Sequence, residues 1–276
     1  MTNASEPFPF ADLSLARRLE KTEARGNVQF VEARAKAFPD RGAEWREIAG
    51  TYAMFDGATS PITQTFGLGM FQPITSDDLD AIERFFGERG AEVFHEVCPL
   101  ADPSVLELLN ARGYRPIEFS NVLYRPIAKD FRLQAARNDN IQVRLIEEGE
   151  QEVWAKTAGQ GWSEFGELAD FLRELGQVNA CSDSLSFLAE LNKQPIGTGA
   201  LTICEGVALL AGASTIPAAR RQGAQLALLE DRLRFAVEQG CDIAMMAAAS
   251  GSGSQRNAER HGFRIAYTRI KWQRSL

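Results

Sequence analysis

Two hydrophobic periods alternate along this chain, and the places where one gives way to the other mark its elements. Residues 11–25 and 28–38 mix charged and apolar positions at helical spacing and stop at Phe38-Pro39. Residues 43–57 read as strand up to a turn at Asp56-Gly57, and residues 62–72 continue as strand. Thr75 or Ser76 caps a helix to about Arg89. Its first turn holds Asp77 and Asp78, where the helix dipole favours carboxylates, and Gly90 ends it. Residues 92–98 form a strand, Asp102-Pro103 start a helix closed by Gly113, and residues 114–125 make a final strand pair.

A polar stretch without periodicity, residues 126–140, interrupts the pattern, which then restarts. Residues 141–147 read as strand and residues 149–157 open a helix. Residues 159–167 form a loop with two aromatics, and residues 167–180 are helical. Residues 184–215 give three antiparallel strands with turns at Asn192–Pro195 and Glu205-Gly206. A long helix follows within residues 217–240, then a buried strand (241–249). A Gly/Ser loop leads into a short helix (250–262), and residues 263–274 close the chain as one or two strands.

The two halves repeat each other. An offset of 149 lays Gly113 on Gly262, Tyr114 on Phe263, Arg115 on Arg264 and Arg125 on Arg274. The helix-ending Gly90 and Gly240 differ by 150. With the shared order helix–Gly–strand–helix–Gly–aromatic–strand, this indicates a degenerate tandem repeat. The expected division is 1–127, a linker at 128–140, and 141–276.

The chain has 276 residues, 45% of them hydrophobic, and a net charge of −7. This is ordinary globular composition, and an acidic balance argues against broad nucleic-acid binding. No run of about 18 apolar residues is present, and the N-terminus lacks the charged and apolar regions of a secretory signal. A cytoplasmic protein without a membrane or nucleic-acid partner is expected. Cys98, Cys181, Cys204 and Cys241 form no CxxC pair, and His95 with Cys98 reads as strand running into turn, so no metal site is expected. The lack of a G-x-S-x-G elbow counts against a serine hydrolase.

The chemistry concentrates in Ala213–Leu229, where an apolar strand crosses Pro217 and two arginines into a helix. The free N–H groups of a first helical turn attract an anion. Gly223 lets a phosphate approach the main chain, and Arg220 and Arg221 add cationic donors. Leu226, Leu229, Leu233, Val237, Ala227 and Ala236 form an apolar stripe that packs this helix on the sheet. Glu230, Asp231, Arg232, Arg234 and Glu238 are expected mostly off it.

This arrangement resembles the GCN5-related N-acetyltransferase (GNAT) family, whose Q/R-x-x-G-x-G/A signature cradles the pyrophosphate of coenzyme A. Arg220-Arg221-Gln222-Gly223-Ala224-Gln225 matches its first and fourth positions, and Gln225 departs at the sixth. The element order across 141–276 and the ending Ser252–Phe263 look like that family too. The resemblance implies two tandem acyl-CoA N-acyltransferase-like domains in an α/β fold (α+β mixed sheet), mostly antiparallel sheet flanked by helices, with acetyl-CoA as co-substrate and no metal. It assigns the coenzyme to Ala213, Ser214, Thr215, Arg220, Arg221, Gln222, Gly223, Ala224, Gln225 and Leu226, with Ser254 and Asn257 near its arm. The acceptor falls to Trp162 and Phe165.

Backbone N–H groups of Ala213–Thr215 would receive the thioester carbonyl. The family often carries a tyrosine general acid where this chain has Ala258, which leaves Glu164 (with Glu167 beside it) and Tyr267 as the candidates for proton transfer. In the first half, Phe71 and Ile74 stand where Arg220 and Gly223 stand in the second, and Asp77 and Asp78 follow. That half reads as a degenerate copy without coenzyme. The implied function is acyl transfer to a primary amine of a small molecule or peptide. The alternative is a non-catalytic coenzyme A or acyl-CoA sensor. The sequence is compatible with a monomer or a homodimer.

Overall fold

The computed structural model describes residues 8–129, 137–163 and 169–274. The chain divides into two compact units. One comprises residues up to Pro126 together with those from Met245 onward, and the other comprises Ile127–Ala244.

In the first unit, α1 (Leu13–Ala37) precedes the hairpin β1 (Glu44–Ile48) and β2 (Thr51–Phe55). Then come β3 (Gln64–Phe66), α2 (Ser76–Gly87), β4 (Val93–Val97), α3 (Ser104–Ala111) and β5 (Arg115–Pro126). The expected pair of N-terminal helices is one continuous helix. Gly26 costs about 1 kcal/mol inside it. Burial of Ala24, Val28 and Val31 against Tyr52, Met54 and Phe66 offsets that cost. The strand expected over 62–72 shrinks to β3 because Gly67 and Gly69, at φ 79° and 67°, turn the chain away.

Side chains alternate across β2. Tyr52 and Met54 face α1, whereas Ala53 and Phe55 pack with Leu79, Ile82, Phe85 and Phe86 of α2 and Val105 and Leu109 of α3. α2 links β3 to β4, which are parallel with Thr65 opposite His95.

The second unit is an antiparallel meander: β6 (Ile141–Leu145), β7 (Leu185–Leu191), β8 (Gln194–Cys204) and β9 (Val207–Thr215). α4 (Gln151–Gly161) and α5 (Ala169–Ala180) lie between β6 and β7 in sequence. Trp154 and Ala158 of α4 pack on Leu188 and Ala200, and the Trp154 indole donates to the Phe187 carbonyl at 2.9 Å. α6 (Ala224–Glu238) holds the other face, with Phe235 edge-on to Phe187 at 5.7 Å.

The remaining elements are β10 (Ile243–Ala249), α7 (Gly253–Arg260) and β11 (Arg264–Arg274). The second compact unit ends at Ala244, whereas the sequence division ran to 276. α7 and β11 belong to the first unit. β11 inserts between β4 and β5, antiparallel to both, with Trp272 opposite His95 and Arg269 opposite Ser120. The expected strand pair at 114–125 is therefore the single strand β5 with β11 as its partner.

The repeat is visible in the helix ends. Gly113 and Gly262 are left-handed at φ 76° and 79°. Tyr114 N–H donates to the Leu109 carbonyl and Phe263 N–H to the Ala258 carbonyl, at 3.0 and 3.1 Å. Ala91 N–H to the Phe86 carbonyl and Cys241 N–H to the Ala236 carbonyl repeat the motif 150 residues apart, at 3.1 and 2.9 Å. Among the described residues no helix is long and apolar enough to cross a membrane, and no group of three His, Cys, Asp or Glu side chains is placed to hold a metal ion.

Candidate coenzyme site

The site begins in β9. Thr198 lies opposite Ser214 and Ala200 opposite Ala211, so Gly199 alone on β8 faces both Gly212 and Ala213. This is a β-bulge, and Gly212 adopts the φ of 57° that it requires. Thr198 Oγ1 lies 2.8 Å from Ser214 Oγ and 3.3 Å from the Gly212 carbonyl oxygen, which fixes the strand beyond the bulge.

Pro217–Ala219 then form one turn of 3-10 helix, and Arg220 returns to extended backbone. Arg221 is left-handed at φ 63° and Gly223 at φ 98°. Alternating left-handed residues turn successive N–H groups to one side, a main-chain cradle for an anion. α6 starts immediately afterwards. No side chain caps it and its first turn holds no acidic residue, so its free donors and partial positive charge stay available. A Cβ on Gly223 would meet only Asn138 Cβ, at 3.5 Å; the approach over this residue is open. These residues fit a pyrophosphate.

Gln225, the residue that departs from the signature, points back to the strand. Its Nε2 donates to the Ser214 carbonyl at 2.9 Å and to Thr215 Oγ1 at 2.7 Å. It closes the strand–helix corner and leaves the cradle clear. Arg220 donates to the Thr215 carbonyl at 3.4 Å and to the Gly161 carbonyl at 3.2 Å, which ties the end of α4 to the same corner. The structure thus gathers Ala213, Ser214, Thr215, Arg220, Arg221, Gln222, Gly223, Ala224, Gln225 and Leu226 into one strand–turn–helix.

Three contributors were not anticipated. Gly161 packs where a Cβ would lie 2.5 Å from Ser214 Oγ, 2.6 Å from Ser214 Cβ and 3.1 Å from Thr215 N. In sequence it looked like an ordinary loop glycine. Gly161→Ala should push α4 off β9 and cost about 1–3 kcal/mol, read as a lower melting temperature. An unchanged melting temperature would mean that this packing is looser than it looks. Asn138, at the end of the expected linker, donates from Nδ2 to the Gln222 carbonyl at 2.9 Å and so steadies the loop.

The third is Arg232. Expected off the apolar stripe, it is 3% exposed and belongs to the buried face of α6 with Leu228, Leu229, Leu233 and Ala236. Its spacing of four from both Leu228 and Ala236 was the available signal.

The remaining expected site residues belong to other elements. Trp162 follows α4, half-buried against the Trp154 cluster. Glu164, Phe165 and Glu167 lie outside the described residues. Ser254 and Asn257 sit on α7 in the first unit, where Ser252 caps the helix by accepting from Gln255 N–H at 3.1 Å. Tyr267 is buried in β11 of that unit and donates to Glu20 Oε1 at 2.8 Å, and burial holds its phenol well above the ordinary range.

Residues 151–263 match the acetyltransferase (GNAT) family. The fold is similar to a GCN5-related N-acetyltransferase from Kribbella flavida, at 17% identity and a TM-score of 0.67, over 94% of this chain and 95% of that one. A GCN5-related N-acetyltransferase from Sphaerobacter thermophilus is similar at 16% identity and a TM-score of 0.54, over 96% and 92% of the two chains. A tandem GNAT protein from the clavulanic acid biosynthesis pathway is similar at 11% identity and a TM-score of 0.57, over 91% and 94%. No curated protein sequence matches. The family match covers the strand–turn–helix just described, and the fold of nearly the whole chain is similar to those of GNAT proteins, a tandem one among them.

Proposed function

We propose that this chain is an acetyl-CoA-dependent N-acetyltransferase that acylates a primary amine of a small molecule or peptide. The observation that carries this reading is the uncapped, acid-free N-terminus of α6 behind left-handed Arg221 and Gly223. Main-chain N–H groups there would bind the pyrophosphate, with Arg220 and Arg221 as flanking cations. Acetyl-CoA supplies the activated acyl group. The chain's own part is to orient it, to receive its carbonyl on N–H groups of the bulged β9 segment Ala213–Thr215, and to hold the amine near Trp162. Titration calorimetry with coenzyme A, followed by thiol release from acetyl-CoA with a panel of amines, tests it. No heat of binding would overturn it.

A sensor that binds coenzyme A without turnover is the second reading. Ala258 stands where the family often has its tyrosine, and Tyr267 is engaged by Glu20. Binding without thiol release across the panel would favour the sensor.

We further propose one coenzyme per chain. At the corresponding corner of the first unit, Thr75 and Asp78 form a capping box. Asp78 N–H donates to Thr75 Oγ1 at 3.2 Å, and Thr75 N–H donates to Asp78 Oδ2 at 2.9 Å. Those donors are taken, and Asp77 adds a second carboxylate. Asp77→Asn and Asp78→Asn should leave coenzyme affinity within about two-fold, while Asp78→Ala loses about 1 kcal/mol of stability with its cap. Two equivalent sites in the titration would contradict this.

A further inference from the structure

Arg232 is a buried cation whose hydrogen bonds all go to main-chain carbonyls. Its Nε donates to the Leu228 carbonyl at 3.1 Å, and its Nη1 donates to the Ala200 and Ala211 carbonyls at 3.0 and 3.1 Å. Among the described residues no carboxylate pairs with it. The acids beside it on α6 are committed elsewhere. Glu230 lies 3.8 Å from Arg137 and 3.5 Å from Arg234, and Asp231 lies 2.7 and 3.1 Å from the same two residues.

A buried, unpaired guanidinium is expensive, and an aliphatic side chain would fill the space without that cost. The fold nevertheless makes room for it. A Cβ on Gly199 would lie 2.9 Å from Arg232 Cζ and 3.0 Å from Nε and Nη1, so with the guanidinium in place that side of β8 takes only glycine. Gly199 is also the single residue that faces the two bulged residues of β9, and Ala200 and Ala211 are the first regular pair beside the bulge. Arg232 is therefore anchored on the carbonyls that border the bulge, from the α6 face. Although burial lowers its pKa to about 10, it stays charged at neutral pH.

We propose that Arg232 is a positioning residue of the acyl site. The buried guanidinium fixes the bulged segment of β9 and sets a positive charge beside the N–H groups that receive the acyl carbonyl. This inference rests on the coenzyme reading above. The field of a charge in a dry interior is weakly screened, and a hydrogen bond to the Ala211 carbonyl polarises the peptide that leads into Gly212 and Ala213.

Infrared difference spectroscopy of the full chain with acetyl-CoA carrying a ¹³C-labelled acetyl carbonyl reads this effect directly. In the native protein the thioester carbonyl stretch should fall below its frequency in water. Arg232→Gln should lose at least half of that displacement, with acetyl-CoA affinity changed by less than about three-fold. Arg232→Lys keeps a charge that burial makes easy to remove. It should retain the displacement near about pH 6 and lose it near about pH 9. A merely structural role predicts no such pH dependence. Gly199→Ala should displace the guanidinium while leaving Arg232 in place, and covers the case in which the glutamine variant does not fold. Equal carbonyl frequencies in the native protein and in folded Arg232 and Gly199 variants that bind acetyl-CoA would overturn the role of Arg232 alone. Failure of the native protein to bind acetyl-CoA would instead overturn the coenzyme reading, and this inference with it.

Discussion

Gly223→Val should abolish measurable coenzyme A binding while leaving the rest of the chain folded. Gly223 sits at φ 98°, a conformation that a β-branched residue reaches only with strain of about 1–3 kcal/mol. Relief of that strain reorients the peptide, and its N–H no longer points into the cradle. The isopropyl group would also occupy the open side over which a phosphate must approach. Arg221→Glu attacks the same site through charge. Charge-assisted hydrogen bonds contribute about 1.5–3 kcal/mol each, so reversal at one arginine should weaken binding by about 100-fold or more.

Arg221 is itself left-handed at φ 63°, which makes Arg221→Gly a useful control. Glycine keeps the turn and removes only the guanidinium, so affinity should fall while the melting temperature holds. Calorimetry at two ionic strengths separates the contributions, because the guanidinium term shrinks with added salt. Native affinity in folded Gly223→Val and Arg221→Glu proteins would show that the coenzyme does not bind at this corner.

How much of this corner could be read from sequence depends on how local each cause is. Gly223 and the two arginines are legible as a turn into a helix, because a glycine just before an apolar helical stripe marks where the helix begins. The paired glycines at 113 and 262 are legible as helix ends, and they close two helices with matching hydrogen bonds. Gln225 looked like a defect in the signature. Its amide reaches ten and eleven residues back to Thr215 and Ser214, a contact that no local pattern encodes. Arg232 is expected off the apolar stripe of α6, although its spacing belongs to the buried side. The carbonyls that hold the cation there border the bulge opposite Gly199, which no helical period encodes. The placement of β11 between β4 and β5 was hidden for a related reason. A strand's periodicity says which residues share a face but does not name the neighbouring strand.

The second large effect concerns pH. Between pH 5 and pH 8 the first unit should lose stability relative to the same unit carrying Glu20→Gln. Glu20, in α1, is fully buried, and one of its oxygens has no hydrogen-bond partner. Around it lie Glu23 of the same helix, Glu96 of β4, Arg269 and Lys271 of β11, Tyr267, and Cys98 just after β4. Arg269 is shared among three carboxylates. It lies 3.3 Å from Glu20, 2.9 Å from Glu23 and 3.1 Å from Glu96.

Burial raises the Glu20 carboxyl from 4.5 to about 7, with Arg269 opposing the rise and Glu23 and Glu96 adding to it. Between those two values the folded state holds a proton that the unfolded state has released. Stability on this account is fully present below about pH 4.5 and is lost as pH climbs through 7. The displacement is worth about 3 kcal/mol at most. Cys98, pushed up to about 12, does not titrate in this window, whereas buried His95 of β4, lowered from 6.5 to about 3, adds stability as pH rises to about 6.5 and does so in native protein and variant alike. Urea unfolding midpoints of the full chain at pH 5, 6.5 and 8 measure the slope, and hydrogen exchange in β4 and β11 assigns it to this unit. Glutamine keeps an acceptor for the Tyr267 hydroxyl and for Arg269 and carries no proton to lose, so Glu20→Gln should gain on the native chain as pH rises and be the more stable protein at pH 8, the His95 contribution cancelling in the comparison. A variant with the same slope as the native chain would place the titrating group elsewhere.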